Sequence, residues 1–233
     1  MLSRRLFLAL TGSAAASTSI SWGVDVPAAL DHILLGSSDL DAGVAFVKEH
    51  TGVAPAYGGV HPGRGTRNAL VSLGEEHYLE IIASDPAQPG SPDTYGLKKL
   101  AVPRLVGWAA HPGNLDVVAG RLRAASIAFD GPAPGERKRP DGRVLRWKTL
   151  RLRDDQAGLL PFFIEWSADT VHPSADAPPG CKILLFELSA PDDAELRRVC
   201  TLIGLDVAIT HGERPGLLAR IVGPGGRLMA LAS

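Results

Sequence analysis

Cysteine is nearly absent: Cys181 and Cys200 are the only two in 233 residues. They form no Cys-x-x-Cys pair, which excludes zinc-ribbon and thioredoxin-type chemistry. Cys181 precedes a strand-like run and Cys200 lies in a helix-like one, so two buried free thiols are expected, although a disulfide would be permitted outside the cytoplasm. An excess of charge is missing as well, with 24 Lys and Arg against 25 Asp and Glu and a formal net charge of -1. Nucleic-acid binding needs a net basic face, so no nucleic-acid partner is expected. The two dense basic stretches, Arg137-Lys138-Arg139 and Arg151-Leu152-Arg153, read as solvated strand edges. Long apolar runs are lacking too: the stretch from Leu6 to about Ala16 is broken by Thr11, Gly12 and Ser13 and is too short to span a bilayer. No P-loop, dinucleotide glycine fingerprint, Gly-x-Ser-x-Gly or His-Glu-x-x-His occurs, which removes the familiar nucleotide, hydrolase and metalloprotease sites. What is present, at 45% apolar residues, is a chain able to bury a substantial core.

The N-terminus stands apart. "SRRLFLALTGSAAAS", with Arg4-Arg5 ahead of a mild apolar stretch and Ala14-Ala15-Ala16 as a small-residue cleavage region, resembles a twin-arginine export signal. The resemblance implies passage through the twin-arginine export machinery and a periplasmic or secreted mature protein. Residues 1–24 are therefore set aside as signal and spacer.

From residue 30 on, one pattern recurs. A short apolar run, "LDHILLGS", precedes "SDLDAGVAFVKEHTG", which has a Ser/Asp start, a periodic apolar face and Gly52 as a stop. After a loop rich in Gly and Pro, "TRNALVSLG" and "HYLEIIA" read as two strands around the turn Gly74-Glu75-Glu76. With a short extended piece over residues 54–58 this is βαβββ. The order returns from Leu105, where Asn114-Leu115-Asp116 replaces Asp39-Leu40-Asp41 at the helix start and "GRVLRWKTLRLR" and "LLPFFIEWS" supply later strands. It returns again in "KILLFELSAPDDAELRRVCTLIG". The spans His32 to Gly52 and Leu184 to Gly204 are both 20 residues. Three units follow, at 25–100, 101–175 and 176–233, the last ending in a hairpin across Gly223-Pro224-Gly225-Gly226.

Tandem βαβββ units resemble the vicinal oxygen chelate superfamily, whose members include glyoxalases, extradiol dioxygenases and bleomycin-resistance proteins. The motifs "DHILLGSSDLDAG", "HPGRGTRNALVSLG", "YLEIIA", "RPDGRVLRWK", "LPFFIEW" and His172-Pro173 follow the order of its glyoxalase-like branch. The resemblance implies an α+β fold in which two units curl a mixed sheet around a cavity for a small molecule, with a third C-terminal unit beside them. It also implies metal ligands on the first and last strands of each unit, where alternate residues point inward.

Read onto this sequence, those positions are His32, Glu80 and Glu165, a mixed nitrogen and oxygen set suited to Mn, Fe, Co, Ni or Zn. Glu80 and Glu165 are each a lone carboxylate in an apolar strand, where an isolated charge is costly unless paired or coordinated, and both are candidate catalytic residues. Gapless alignment of the helix starts puts Gly107 at the position of His32, and Leu184 in the third unit. One donor is thus missing from a four-ligand arrangement. His61, Arg64, Thr66 and Asn68 in "HPGRGTRN", with Trp147 and His172, are the candidate substrate-binding residues; Thr66 and Asn68 alternate onto one face, and Arg67 points the other way. Trp108 and Trp166, each adjacent to an inward residue, are expected in the core. Two functions are compatible with these residues: a divalent-metal-dependent lyase or isomerase acting on a small carbonyl or vicinal-oxygen compound, and a non-enzymatic periplasmic binding or sequestering protein of the bleomycin-resistance type. Three units in one chain favour an intrachain cavity between the first two, in a monomer or homodimer.

Overall fold

The computed structural model describes residues 26–139 and 141–233, so the export signal read at residues 1–24 lies outside the described residues. The first unit runs β1 (Leu30–Ser37), α1 (Leu40–Thr51), β2 (Ala56–His61), β3 (Thr66–Ser72) and β4 (Tyr78–Ser84). The second runs β5 (Arg104–Ala110), α2 (Leu115–Ala124), β6 (Phe129–Lys138), β7 (Val144–Leu152) and β8 (Phe162–Trp166), followed by the single turn α3 (Pro173–Asp176). The helix starts are those the sequence signals. Asp39 caps α1 by accepting from Ala42 N, Asn114 caps α2 through Asp116 N and Val117 N, and Gly52 closes α1 in the left-handed region at φ 83°.

The two units join into one strongly curled eight-stranded sheet in the order β2-β3-β4-β1-β5-β8-β7-β6. In each unit the first strand pairs in parallel with the last, β1 with β4 and β5 with β8, and β1 and β5 meet antiparallel at the centre. That centre shows the approximate twofold relation of the halves: Leu34 lies opposite Gly107 while His32 lies opposite Ala109. Both faces of β1 are buried. Ile33 and Leu35 join the main core under the helices, whereas His32 and Leu34 line the concave side.

The third unit comprises β9 (Lys182–Ala190), α4 (Asp193–Ile203), β10 (Ala208–His211), β11 (Gly216–Val222) and β12 (Leu228–Ala232). It keeps the βαβββ element order but not the pairing, because β9 is parallel to β10 and the sheet runs β10-β9-β11-β12. This sheet packs on the convex side of β5, beside α1 and α2, where Phe186 meets Trp108 with ring centroids 5.1 Å apart. Trp108 is core, as expected, and donates its indole N–H to Leu159 O at 2.8 Å. Cys181 and Cys200 are buried free thiols, also as expected. No helix among the described residues is long and apolar enough to cross a membrane.

Candidate active site

The concave face of the eight-stranded sheet encloses a cavity of about 440 Å³, built within one chain from both of the first two units. Alternation decides what enters it. Tyr78, Glu80 and Ile82 point inward from β4, Thr66 and Asn68 from β3, Trp147, Thr149 and Arg151 from β7, and Phe162, Ile164 and Trp166 from β8.

At its centre stands Glu80, 6% exposed. One carboxylate oxygen accepts from Asn68 Nδ2 at 2.7 Å and lies 3.7 Å from His61 Nε2; the other is 3.3 Å from His32 Nε2. On the far side of His32, Nδ1 is 2.6 Å from Asp31 Oδ1. Adjacent strand residues normally point to opposite faces. Here the β1–β5 register shifts between Leu30 and His32, a bulge that lets Asp31 and His32 meet. Asp31 Oδ2 also accepts from Trp166 Nε1 at 2.8 Å and lies 3.2 Å from His172 Nε2. Tyr78 stacks on the His32 ring at 4.4 Å.

These contacts set the charges. Burial alone would neutralise His32, but hydrogen bonds to Asp31 and Glu80 outweigh it and raise its pKa to about 9. Burial would likewise protonate Glu80, yet the His32 hydrogen bond and charge, with the Asn68 hydrogen bond, hold it at about 2. Asp31 is ionised for the same reason: its bonds to His172 and His32 overcome burial and keep its carboxyl well below the usual range. His61 differs. Burial pulls its pKa down, and Glu80 does not reverse this, so the ring is neutral. Its Nδ1 is 2.9 Å from Thr66 Oγ1, and its Nε2 is 3.4 Å from the donor Asn68 Nδ2. These contacts assign the proton to Nδ1, donating to Thr66, and leave a lone pair on Nε2 beside Glu80.

Arg137 comes from β6, at the opposite edge of the sheet from β2. It is 5% exposed and passes over Gly58 and Gly59 to donate to Asn68 Oδ1 at 2.8 Å. The Asn68 amide is thereby fixed with its nitrogen toward Glu80. Arg64 and Arg151 complete the basic lining, so three arginines share the cavity with the Glu80 carboxylate, while Asp31 lies behind His32 and outside the lining.

Several expected residues therefore meet: His32, His61, Arg64, Thr66, Asn68, Glu80 and Trp147 all line the cavity. Arg67 points away, 3.9 Å from Asp39, as alternation requires. Glu165 does not join them. On β8 the inward residues are Phe162, Ile164 and Trp166, so Glu165 faces the convex side, accepting from Leu115 N at the start of α2 at 2.8 Å and lying 3.6 Å from Lys148. A carboxylate there is stabilised by the helix N-terminus. The same parity reverses the expectation for Trp166, which lines the cavity instead of entering the core beneath the helices. His172 lies behind the lining, capping α3 and contacting Asp31. Sequence reasoning missed Asp31, Tyr78, Tyr95, Arg137, Arg151 and Phe162; the two arginines belong to basic clusters read as solvated.

Metal ligation by His32, Glu80 and Glu165 fails on geometry and on donor chemistry. Glu165 is on the wrong face. Leu34 lies opposite Glu80 on β4 and Gly107 on β5; in the mirrored half Ala109 lies opposite Phe162 and His32, so the counterparts of His32 and Glu80 are Gly107 and Phe162. Neither carries a donor. Both nitrogens of His32 already contact carboxylates, Nδ1 that of Asp31 and Nε2 that of Glu80. Among the described residues no group of three or more His, Cys, Asp or Glu is placed to hold a metal ion. The residues present do not fit a divalent cation.

The sequence profile of the glyoxalase-like domain matches residues 30–201. The chain belongs to the glyoxalase-like domain family. The family lies within the vicinal oxygen chelate superfamily, and the curled sheet of paired βαβββ units is that superfamily's fold. No curated protein matches. Among solved structures, a hypothetical protein from Staphylococcus aureus is similar at TM-score 0.61 and 16% identity, covering 87% of this chain and 84% of that one. Methylmalonyl-CoA epimerase from Mycobacterium tuberculosis is similar at TM-score 0.44 and 19% identity, over 65% of this chain and 94% of that one. A variant of the Streptomyces coelicolor epimerase in complex with 2-nitronate-propionyl-CoA stands at 0.44 and 21%, over 63% and 99%. The Staphylococcus aureus protein shares the fold over most of both chains.

Proposed function

We propose that the cavity is the active site of an isomerase or lyase that moves a proton on a small carbonyl compound, with His61 as base and Glu80 as its charged partner. The observation that carries this is the placement of His61 on the cavity wall, with Nε2 3.7 Å from the Glu80 carboxylate and Nδ1 2.9 Å from Thr66 Oγ1. A carbon next to a carbonyl releases its proton only to a correctly placed base, and the resulting enolate needs positive charge nearby. His61 Nε2 takes the proton, and the imidazolium so formed lies against the Glu80 carboxylate. Thr66 keeps the tautomer correct throughout. The enolate oxygen is met by the basic lining, in which Arg137 is already oriented by Asn68. Return of the proton to the same or the neighbouring carbon completes an isomerisation, and loss of a group from that neighbouring carbon completes an elimination. Acid–base catalysis of this kind contributes about 10² to 10⁴ in rate.

The test is deuterium exchange. Purified protein is incubated in deuterium oxide with a panel of 2-oxo and 2-hydroxy carbonyl compounds, and loss of the proton signal is followed by NMR. Exchange that His61→Ala and Glu80→Gln each abolish supports the assignment; exchange that survives both substitutions rejects it. A second reading, binding without turnover, draws on the aromatic wall of Tyr78, Trp147, Phe162 and Trp166, which suits retention of a flat ligand. Tight binding of a compound that never exchanges is its signature.

Export belongs to the same proposal. Arg4-Arg5 and the short apolar stretch behind them support a periplasmic or secreted address. Fractionation of cells carrying the Arg4→Lys, Arg5→Lys double variant tests it, and undiminished export of that variant counts against the twin-arginine route.

A further inference from the structure

We propose that Arg64 and Arg151 form an oxyanion subsite within the cavity, for a carboxylate or phosphate group that the ligand carries away from its reacting carbon. This rests on reading the cavity as a small-molecule active site, and it narrows the substrate to an anion.

Arg64 is presented by a built turn. It sits between Gly63 at φ 71° and Gly65 at φ 66°, conformations that side-chain-bearing residues rarely adopt. The Gly63 N–H donates to Gln88 Oε1 at 2.9 Å, and Gln88 Nε2 reaches back to His61 O at 3.3 Å. A Cβ on Gly65 would come within 2.3 Å of the Ser91 side chain, so this turn is seated closely on the following loop. Arg64 O also accepts from Thr94 Oγ1 at 3.4 Å, which ties the turn to the segment bearing Tyr95.

Arg151 approaches from the opposite wall. Its guanidinium lies over the Phe162 ring, 4.2 Å from the centroid, and Nη1 is 3.5 Å from the Tyr95 hydroxyl. Phe162 occupies the position where the mirrored half carries Glu80. The second unit has thus exchanged a carboxylate position for a platform that orients a cation.

Two guanidiniums facing one cavity repel each other, and Arg64 shows it: burial, then Arg151, lower its pKa. Such a pair normally recruits a carboxylate. Glu80 is engaged by His32 and Asn68, and the Arg and Lys ion pairs among the described residues include neither Arg64 nor Arg151. The partner that fits is an oxyanion, held through forked donors from two sides.

Calorimetric titration of the full chain with succinate, inorganic phosphate and the neutral isostere succinamide tests this. Succinate or phosphate should bind at least about tenfold more tightly than succinamide, as expected for charge-assisted hydrogen bonds from two guanidiniums, and the tighter of the two identifies the group as carboxylate or phosphoryl. The Arg64→Gln, Arg151→Gln double variant should lose that preference, and the corresponding Lys variant should recover part of it. Equal affinity for succinamide, no binding of either anion, or a folded Gln variant that binds like the wild type overturns the subsite. If the double variant does not fold, the single Gln variants are read in the same way. His61→Ala should keep the anion affinity. Arginine-dependent anion binding without any deuterium exchange would sink the catalytic reading while leaving this one standing.

Discussion

Deprotonating His32 should loosen the buried network from its centre, and pH is the most direct way to do it. The imidazole is held at about 9 against an ordinary 6.5, and 9 minus 6.5 corresponds to about 3 kcal/mol favouring the charged form. The folded value lies above the unfolded one, so this stabilisation is fully present below about pH 6.5 and is lost as pH rises through about 9. Glu80 has the opposite sign: held at about 2 against 4.5, it contributes fully above about pH 4.5 and loses that contribution as pH falls toward about 2. Both shifts report largely the same contact, so they are not summed. In a chain of this size about 3 kcal/mol moves the melting midpoint by roughly 6 to 12 °C. Thermal unfolding followed by circular dichroism at about pH 6 and about pH 9.5, for wild type and His32→Gln, isolates the effect because other alkaline titrations are common to both proteins. The variant should melt lower at both pH values, since it strands Asp31 and Glu80, and the gap should narrow at the higher pH. A gap that stays constant would refute the imidazolium assignment.

Three further outcomes follow from the geometry. Gly58→Ala would place a Cβ 2.5 Å from Asn68 Oδ1 and 2.7 Å from Arg137 Nη1, so it should cost about 1 to 3 kcal/mol in urea unfolding and reduce turnover by displacing the latch on Asn68. Glu165→Gln should lower stability by about 1 kcal/mol through the weakened start of α2, with exchange activity unchanged; a collapse of activity would return Glu165 to the site. Thr66→Val should leave the fold intact but free the His61 tautomer, reducing the rate more than the affinity for substrate, which a comparison of kcat with KM measures.

The fold was legible because its signals are local and repeated. Helix starts at Asp39-Leu40-Asp41 and Asn114-Leu115-Asp116 fixed the frame of the first two units, and the pairing of Leu34 with Gly107 and His32 with Ala109 agrees with that gapless alignment. The third unit differs, because element order is written in periodicity whereas the strand order β10-β9-β11-β12, with β10 rather than β12 as the parallel neighbour of β9, is set by contacts between segments distant in sequence. Within the site, His32 and Glu80 were found because buried polar residues in apolar strands are conspicuous. Glu165 looked the same, but strand parity is one residue wide, and a single step exchanges cavity for helix N-terminus. Asp31 was hidden by the opposite irregularity, a bulge that brings neighbouring side chains together. Arg137 and Arg151 were hidden by company: each sits in a basic cluster, and nothing local reveals that Arg137 crosses from one sheet edge to the other to reach Asn68.

The site's chemistry turns on the charge states of two histidines, and nitrogen-15 NMR of the imidazole rings reads them directly. At neutral pH His32 should show two protonated nitrogens, and His61 one protonated Nδ1 and one pyridine-like Nε2. A neutral His32 with a free lone pair would contradict the network, and would make it once more a residue able to hold a metal.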